Sequence, residues 1–258
     1  MAEPTQAEIV EFYRSGLHAD AFVMQLDHDG GRLRRHQGMA VQRLAQAKGK
    51  NRVPLFACGA YHPLKAKLHA VAEPVAELGC TYSEAILKLK ALSVEPKGAA
   101  PEAEALVAYF AARLAGKLTF LKARGDFGTL LPVFVSPVPG SETGPLAWGL
   151  NRVAKDACAL AGDAFVFRPM VLRGAPIPSA HLSQEPRLPE LQVSSLMPLR
   201  DPDVRNRVVV LVDDVVSSGN TLRAAGELLN LYDEAFARGL ALARTSATLR
   251  DRSGAEVV

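Results

Sequence analysis

The stretch RVVVLVDDVVSSGNTLRAA, residues 207–225, constrains the fold more than any other part of the chain. The apolar run 208–212 has the composition of a fully buried strand, yet it drives straight into Asp213 and Asp214. Burying charge is costly unless the charge is paired or bound to something. The two aspartates therefore mark the end of a strand, either at an ordinary surface or facing a ligand. A hydroxyl- and glycine-rich turn follows, and then helical spacing begins.

The neighbouring segments say what kind of sheet this strand joins. Residues 102–118 have helical spacing, with Leu106, Tyr109, Phe110, Leu114 and Leu118 on one side. LLPVFVSPVPG reads as a strand stopped by prolines, followed by a helix from about Pro145 to Ala161 with Gly162 past its end. AFVFRPMVL reads as a further strand. After 207–216 comes a helix carrying Leu222, Ala225, Leu228, Leu229, Tyr232 and Phe236, and a last strand LALARTSATL. Strand and helix alternate, which predicts an α/β fold with a parallel sheet covered by helices. Such sheets bind ligands beyond the carboxyl ends of their strands.

The first part of the chain is less regular. AEIVEFYRSGL and MAVQRLAQAKG read as short helices, VPLFACGAY as a strand, and Pro74 interrupts the helical pattern of 65–78. TYSEAILKLKAL is better defined. Thr81 and Glu84 make a capping box, and the helix should bury Ile86, Leu87 and Leu89 while exposing Glu84 and Lys88. The segment SVEPKGAAPE, 93–102, separates this part from the regular one.

The turn after the aspartates has its own chemistry. Backbone N–H groups at a helix N-terminus, backed by the helix dipole, suit a phosphate. Gly219 permits close approach or positive φ, and Ser217, Ser218 and Thr221 offer hydroxyls. Two carboxylates just ahead of a phosphate would repel it. They can instead accept hydrogen bonds from sugar hydroxyls or help hold a hydrated Mg²⁺. The turn suits a phosphorylated sugar, and it lacks the glycine spacing and lysine of a Walker loop. If Gly219 lies at the surface, Gly219→Val should abolish phosphate binding with a modest change in stability; if it serves a tight turn, the change should cost stability.

The residues VVVLVDDVVSSGNTL closely resemble the phosphoribosyl-pyrophosphate (PRPP) motif of type I phosphoribosyltransferases. The resemblance implies a parallel-sheet, Rossmann-like phosphoribosyltransferase fold with Mg²⁺ as cofactor. It implies that Asp213 and Asp214, the catalytic pair, meet the ribose hydroxyls. It also implies that Val215, Val216, Ser217, Ser218, Gly219, Asn220 and Thr221 wrap the 5′-phosphate. The family commonly has threonines where Ser217 and Ser218 stand. CTYSEAILKLKAL, PVFVSPVPGS and LNRVAKDACALAG are similar to segments of the ComF branch, which gives a phosphoribosyltransferase-like domain over 80–258 and leaves 1–79 as a mixed N-terminal region of unknown role.

On the pyrophosphate side the resemblance points to Ser136, Pro139, Gly140 and Ser141. The proline-rich segment 173–206 reads as a mobile lid, with Arg173, His181 and Arg187 able to close on pyrophosphate. A proline-rich turn and exposed loop charges are the plainer alternatives. ComF relatives often begin with a four-cysteine zinc module; Cys58, His62, His69 and Cys80 do not reproduce its spacing, so no metal ligands are assigned and the histidines read as surface residues. Trp148 reads as core, and RLRRHQG, 32–38, as a solvated face with weak support for nucleic acid.

Three scattered cysteines suit free thiols in a reducing cytoplasm. No run approaches the roughly 18 apolar residues of a membrane span, and the start lacks the pattern of a secretory signal. A formal charge of +3 permits anionic ligands without demanding nucleic acid. A homodimer is compatible with the reading. The acceptor substrate has no legible element. Three functions stay open: a transferase, a PRPP- or nucleotide-sensing protein, and a ComF-type DNA uptake or repair factor.

Overall fold

The computed structural model describes residues 37–44, 53–62, 73–96, 100–141, 146–174, 176–177, 189–199 and 202–245. The expectations for 8–18, 32–36, 45–49, 65–72, 246–249, Pro145, His69, His181, Arg187 and the Tyr232 side chain lie outside them.

A six-stranded sheet carries the molecule. Its strands are β1 (Leu55–Ala57), β2 (Ala60–Tyr61), β5 (Val133–Pro137), β6 (Phe165–Phe167), β9 (Val208–Val216) and β10 (Phe236–Thr245). The order is β1-β10-β9-β5-β6, with β2 also pairing β10, and every pairing is parallel. The expected α/β, Rossmann-like parallel sheet is present. VPLFACGAY gives β1 and β2 with a bend at 58–59, so residues 55–61 are built into the same sheet as the aspartate-bearing strand.

Helices cover both faces. They are α1 (37–44), α2 (Tyr82–Ala91), α3 (Pro101–Arg124), α4 (Trp148–Ala161), α5 (Pro189–Ser195) and α6 (Asn220–Asp233). Period-two alternation along β9 divides the core between them. Val208, Val210 and Val212 meet Tyr82, Phe110, Leu114 and Val153 from α2, α3 and α4. Val209 and Leu211 meet Val193 of α5 and Leu222, Ala225, Leu228 and Leu229 of α6. Each fully buried Leu or Phe contributes roughly 1.5–3 kcal/mol, so the two clusters pin β9 from both sides. No described helix is long and apolar enough to cross a membrane.

The capping box forms as the sequence predicts: Thr81 accepts from Glu84 N–H, and the Glu84 carboxylate accepts from Thr81 N–H at 2.7 Å. Ile86 and Leu89 are buried, while Leu87 is half-buried. Trp148 is half-buried against the first core cluster. The Tyr82 hydroxyl donates to Leu242 O at 2.6 Å, which anchors α2 to β10.

Four expectations are corrected. AFVFRPMVL is two strands: β6 pairs with β5, and β7 (Val171–Arg173) pairs antiparallel with β8 (Leu196–Pro198). Pro169 between them has no N–H to continue a ladder. Within 173–206, α5, β8 and a 3₁₀ turn at Pro202–Val204 are ordered elements, and Val193 and Leu196 are buried. A seven-residue helix opening on a proline is too short to show amphipathic spacing, yet proline suits its first position. The helix expected from Pro145 starts at Trp148. The interruption expected at Pro74 is present: Pro74–Val75 forms β3, pairing antiparallel with β4 (Cys80–Thr81), and only a short 3₁₀ turn follows at Ala76–Leu78. Phe236 is on no helix: Glu234 caps α6 at φ 54, and Phe236 opens β10 opposite Val208.

Candidate active site

Connections leave β5 and β9 in opposite directions. β5 continues through α4 to β6 at one edge, and β9 continues through α6 to β10 on the other side. The gap beyond the carboxyl ends of β5 and β9 is therefore the topological switch point, where open α/β sheets bind ligands. Two turns face it: 138–141 after β5, and 217–219 after β9. They are close in register, because Pro137 pairs with Val212 and Val138 N–H donates to Val212 O at 2.8 Å.

Asp213 and Asp214 occupy β9 just past that register point. The ladder to β10 pairs Asp213 with Ala241 and Val215 with Ala243, skipping Asp214. The backbone bonds locally instead: Asp214 N–H donates to Asp213 Oδ1 at 2.9 Å, and Val215 N–H to Asp214 Oδ1 at 2.6 Å. The alternation of faces slips here, since Val215 packs with the first cluster and Val216 with the second. Lys90 Nζ, from the last turn of α2, lies 3.2 Å from Asp214 Oδ1. Burial pushes the Asp213 carboxyl up to about 7, the Asp214 charge adds to that rise, and Lys90 and Arg173 oppose it. The pair thus shares its charge with one lysine at the rim.

Ser217 and Ser218 are exposed, Asn220 and Thr221 half-buried, and Val216 buried. The N-cap of α6 is Gly219 at φ 71, and no side chain from that position caps the helix. First-turn N–H groups and three hydroxyls thus gather at one helix N-terminus, a site suited to phosphate. Gly219 itself is buried, and a Cβ there would lie 2.4 Å from Leu55 Cδ1 of β1. The surface reading of Gly219 is corrected on that ground. Positive φ and the β1 contact together require glycine, so Gly219→Val must cost stability.

The 138–141 turn is held from outside. Arg173, 3% exposed at the end of β7, donates through Nε to Gly140 O at 2.8 Å and through Nη2 to Pro139 O at 3.4 Å. Its Nη1 bonds Ser195 Oγ and reaches Gln192 Oε1 at 3.4 Å. Arg173 is therefore a buried clamp on the turn rather than an exposed cation on a lid. Ser136 is buried within β5, and its hydroxyl accepts from Met170 N–H at 2.9 Å, so it fastens β5 to the segment after β6. Pro139 is buried, Gly140 exposed and Ser141 half-buried. His62 is buried, not superficial, its backbone N–H donating to Ser83 Oγ at 3.0 Å. Among the described residues no three His, Cys, Asp or Glu gather as a metal site.

Two residues near the site had no sequence signal. Lys90 sits 124 positions from its aspartate partner, and its charge alone looked like that of any exposed helix lysine. Gln192 is fully buried, and its Oε1 accepts from the Thr221 hydroxyl at 3.3 Å as well as from Arg173. A glutamine inside a proline-rich segment carries no periodic mark.

Residues 171–254 match the family model of the phosphoribosyl transferase domain. The match covers β7 through β10 and so includes the carboxylate pair and its turn. A hypoxanthine phosphoribosyltransferase from Staphylococcus aureus is similar in structure at 16% identity, over 59% of this chain and 68% of that one, with a TM-score of 0.34. That score is too low to bear on function. No curated protein matches.

Proposed function

We propose that the chain binds PRPP, or a ribose 5-phosphate, with Mg²⁺ at residues 213–221 and transfers the phosphoribosyl group to an acceptor, releasing pyrophosphate. One observation carries the reading: a carboxylate pair in β9 leads directly into a hydroxyl-bearing helix N-terminus at the switch point of a parallel sheet. The phosphoribosyl transferase match over the same residues supports it.

In this reading the ribose hydroxyls donate to Asp213 and Asp214, and the 5′-phosphate accepts from the N–H groups of the 217–221 loop and from the hydroxyls of Ser217 and Ser218, while the Thr221 hydroxyl donates to Gln192. The pyrophosphate lies toward the 138–141 turn. The acceptor's lone pair forms a bond to the anomeric carbon as the carbon–oxygen bond to pyrophosphate breaks, its electron pair leaving with the pyrophosphate. Positive charge develops on the ring, so the residues act by positioning and by electrostatics.

Two carboxylates form no all-protein cage. That fits Mg²⁺, which keeps most of its waters and arrives with substrate phosphates; Asp213 and Asp214 would hold it through those waters. When bound it offsets the charge of the leaving pyrophosphate. The finer kinship to the ComF branch rests on the α2, β5 and α4 segments and belongs to the same proposal. Mixing protein, PRPP and Mg²⁺ with a panel of bases, amines and ammonia should release pyrophosphate with at least one acceptor. PRPP binding without release across the panel would leave a sensing protein, and absence of binding would overturn the reading.

A further inference from the structure

The two turns that face the switch point are joined by one chain of hydrogen bonds, buried at its middle and part-buried at its ends. Starting at the 138–141 turn, the carbonyls of Pro139 and Gly140 accept from Arg173. Arg173 passes to Gln192 Oε1 and Ser195 Oγ on α5. The same Gln192 Oε1 then accepts from the Thr221 hydroxyl in the first turn of α6. Ser195 is fixed in its turn, its hydroxyl donating to Gln192 O at 2.9 Å and its carbonyl accepting from Gly174 N–H at 2.8 Å. The Gln37 side chain of α1 reaches the carbonyls of Val193, Ser194 and Leu196 at 3.0–3.3 Å and steadies the end of α5.

We propose that Gln192 is a positioning residue: through one amide oxygen it sets both the pyrophosphate-side turn, by way of Arg173, and the 5′-phosphate loop, by way of Thr221. The inference rests on the functional reading above and assigns α5 a role in it. Gln192 touches neither proposed ligand. A fully buried acceptor shared by a guanidinium and a hydroxyl holds both donors in one geometry, because a donor that moved away would leave a buried polar group unpaired. Among the described residues its amide nitrogen has no partner, and the oxygen is the part of the side chain the network uses. The two donors constrain the amide orientation, since flipping it would bring an amide N–H toward a guanidinium that can only donate.

The test uses the full chain with Mg²⁺ and two separate probes, ribose 5-phosphate and inorganic pyrophosphate. Gln192→Met keeps the length and removes the acceptor; Gln192→Glu keeps an acceptor. In the folded Gln192→Met protein both affinities should fall about tenfold, equivalent to roughly 1.4 kcal/mol, while Gln192→Glu stays within about threefold of wild type for both, a difference of roughly 0.6 kcal/mol. In a Thr221→Val background, Gln192→Met should lose its effect on ribose 5-phosphate and keep its effect on pyrophosphate, which a general loosening of the fold would not do. Loss of affinity for only one probe, unchanged affinities in folded Gln192→Met, or full additivity with Thr221→Val would overturn the bridge while leaving the site intact. A wild-type protein that binds neither probe would overturn the site and the bridge with it.

Discussion

The turn after β9 and the turn after β5 face the same gap but are held in different ways. Residues 217–221 take their turn from their own backbone, Gly219 at positive φ leading the chain into α6 with Leu55 behind it, and only Thr221 at the far end is held from outside, by Gln192. Residues 138–141 take theirs from Arg173, 33 positions away, which binds two of their carbonyls. Local chemistry is visible in a sequence, whereas an external clamp is visible only when the chain is folded. The comparison teaches that a loop's ligand and a loop's shape can be encoded in separate parts of the chain.

The largest effect should come from removing the clamp. Arg173→Met removes the donor to the Pro139 and Gly140 carbonyls and to Ser195 Oγ, and leaves Gln192 Oε1 with Thr221 alone; with about 1–3 kcal/mol for each buried group left unpaired the loss should be about 4 kcal/mol. Denaturant unfolding should show that loss. Pyrophosphate affinity should fall far more than ribose 5-phosphate affinity, and equal losses would erase the distinction between the turns. Gly219→Ala comes next, at about 2–3 kcal/mol from the positive φ and the contact with Leu55. A variant of wild-type stability would show that the backbone does not define the 217–221 loop.

A smaller effect follows pH. A carboxyl whose folded value is raised holds its proton in the native state where the unfolded chain has already lost it, so native stability falls as pH rises from the ordinary aspartate range toward about 7. Replacing Asp213 with Asn should therefore stabilise the protein at pH 8 relative to wild type, with the advantage shrinking toward pH 4. Ribose 5-phosphate affinity in wild type should instead rise through pH 7, as Asp213 becomes the better acceptor. The ligand's own phosphate titrates equally with both proteins, so the difference between wild type and Asp213→Asn isolates the carboxyl. Identical profiles would remove Asp213 from the ribose site.

Lys90→Ala should have the least effect on folding. Its side chain is 44% exposed beside Asp214, and such pairs contribute about 0–1 kcal/mol. A loss above about 2 kcal/mol in thermal unfolding would mean the lysine is part of the core structure rather than a cation at the rim of the site.

How much was legible follows the same division. The buried strand, the aspartates, the glycine turn and the α6 apolar face were readable because each is a short-range pattern, and so was the capping box of α2. Phe236 misled because apolar spacing continues past the αL residue Glu234 that ends the helix. Pro189 and Pro198 hid α5 and β8, since prolines at element ends look in sequence like prolines in a loop. Arg173 reads as a lid cation because its partners, two backbone carbonyls and two uncharged side chains, carry no charge that would mark them in the sequence. The pairing of β1 with β10 spans most of the chain and has no local signature.

The central claim is that the carboxylate pair and the 217–221 loop together bind a phosphorylated ribose. Calorimetric titration of PRPP with Mg²⁺ into wild type and into the Asp213→Asn, Asp214→Asn double variant tests it most directly. Loss of the ribose acceptors should weaken binding at least tenfold, equivalent to about 1.4 kcal/mol, with the double variant still folded by circular dichroism. Equal affinity in the two proteins would contradict the account.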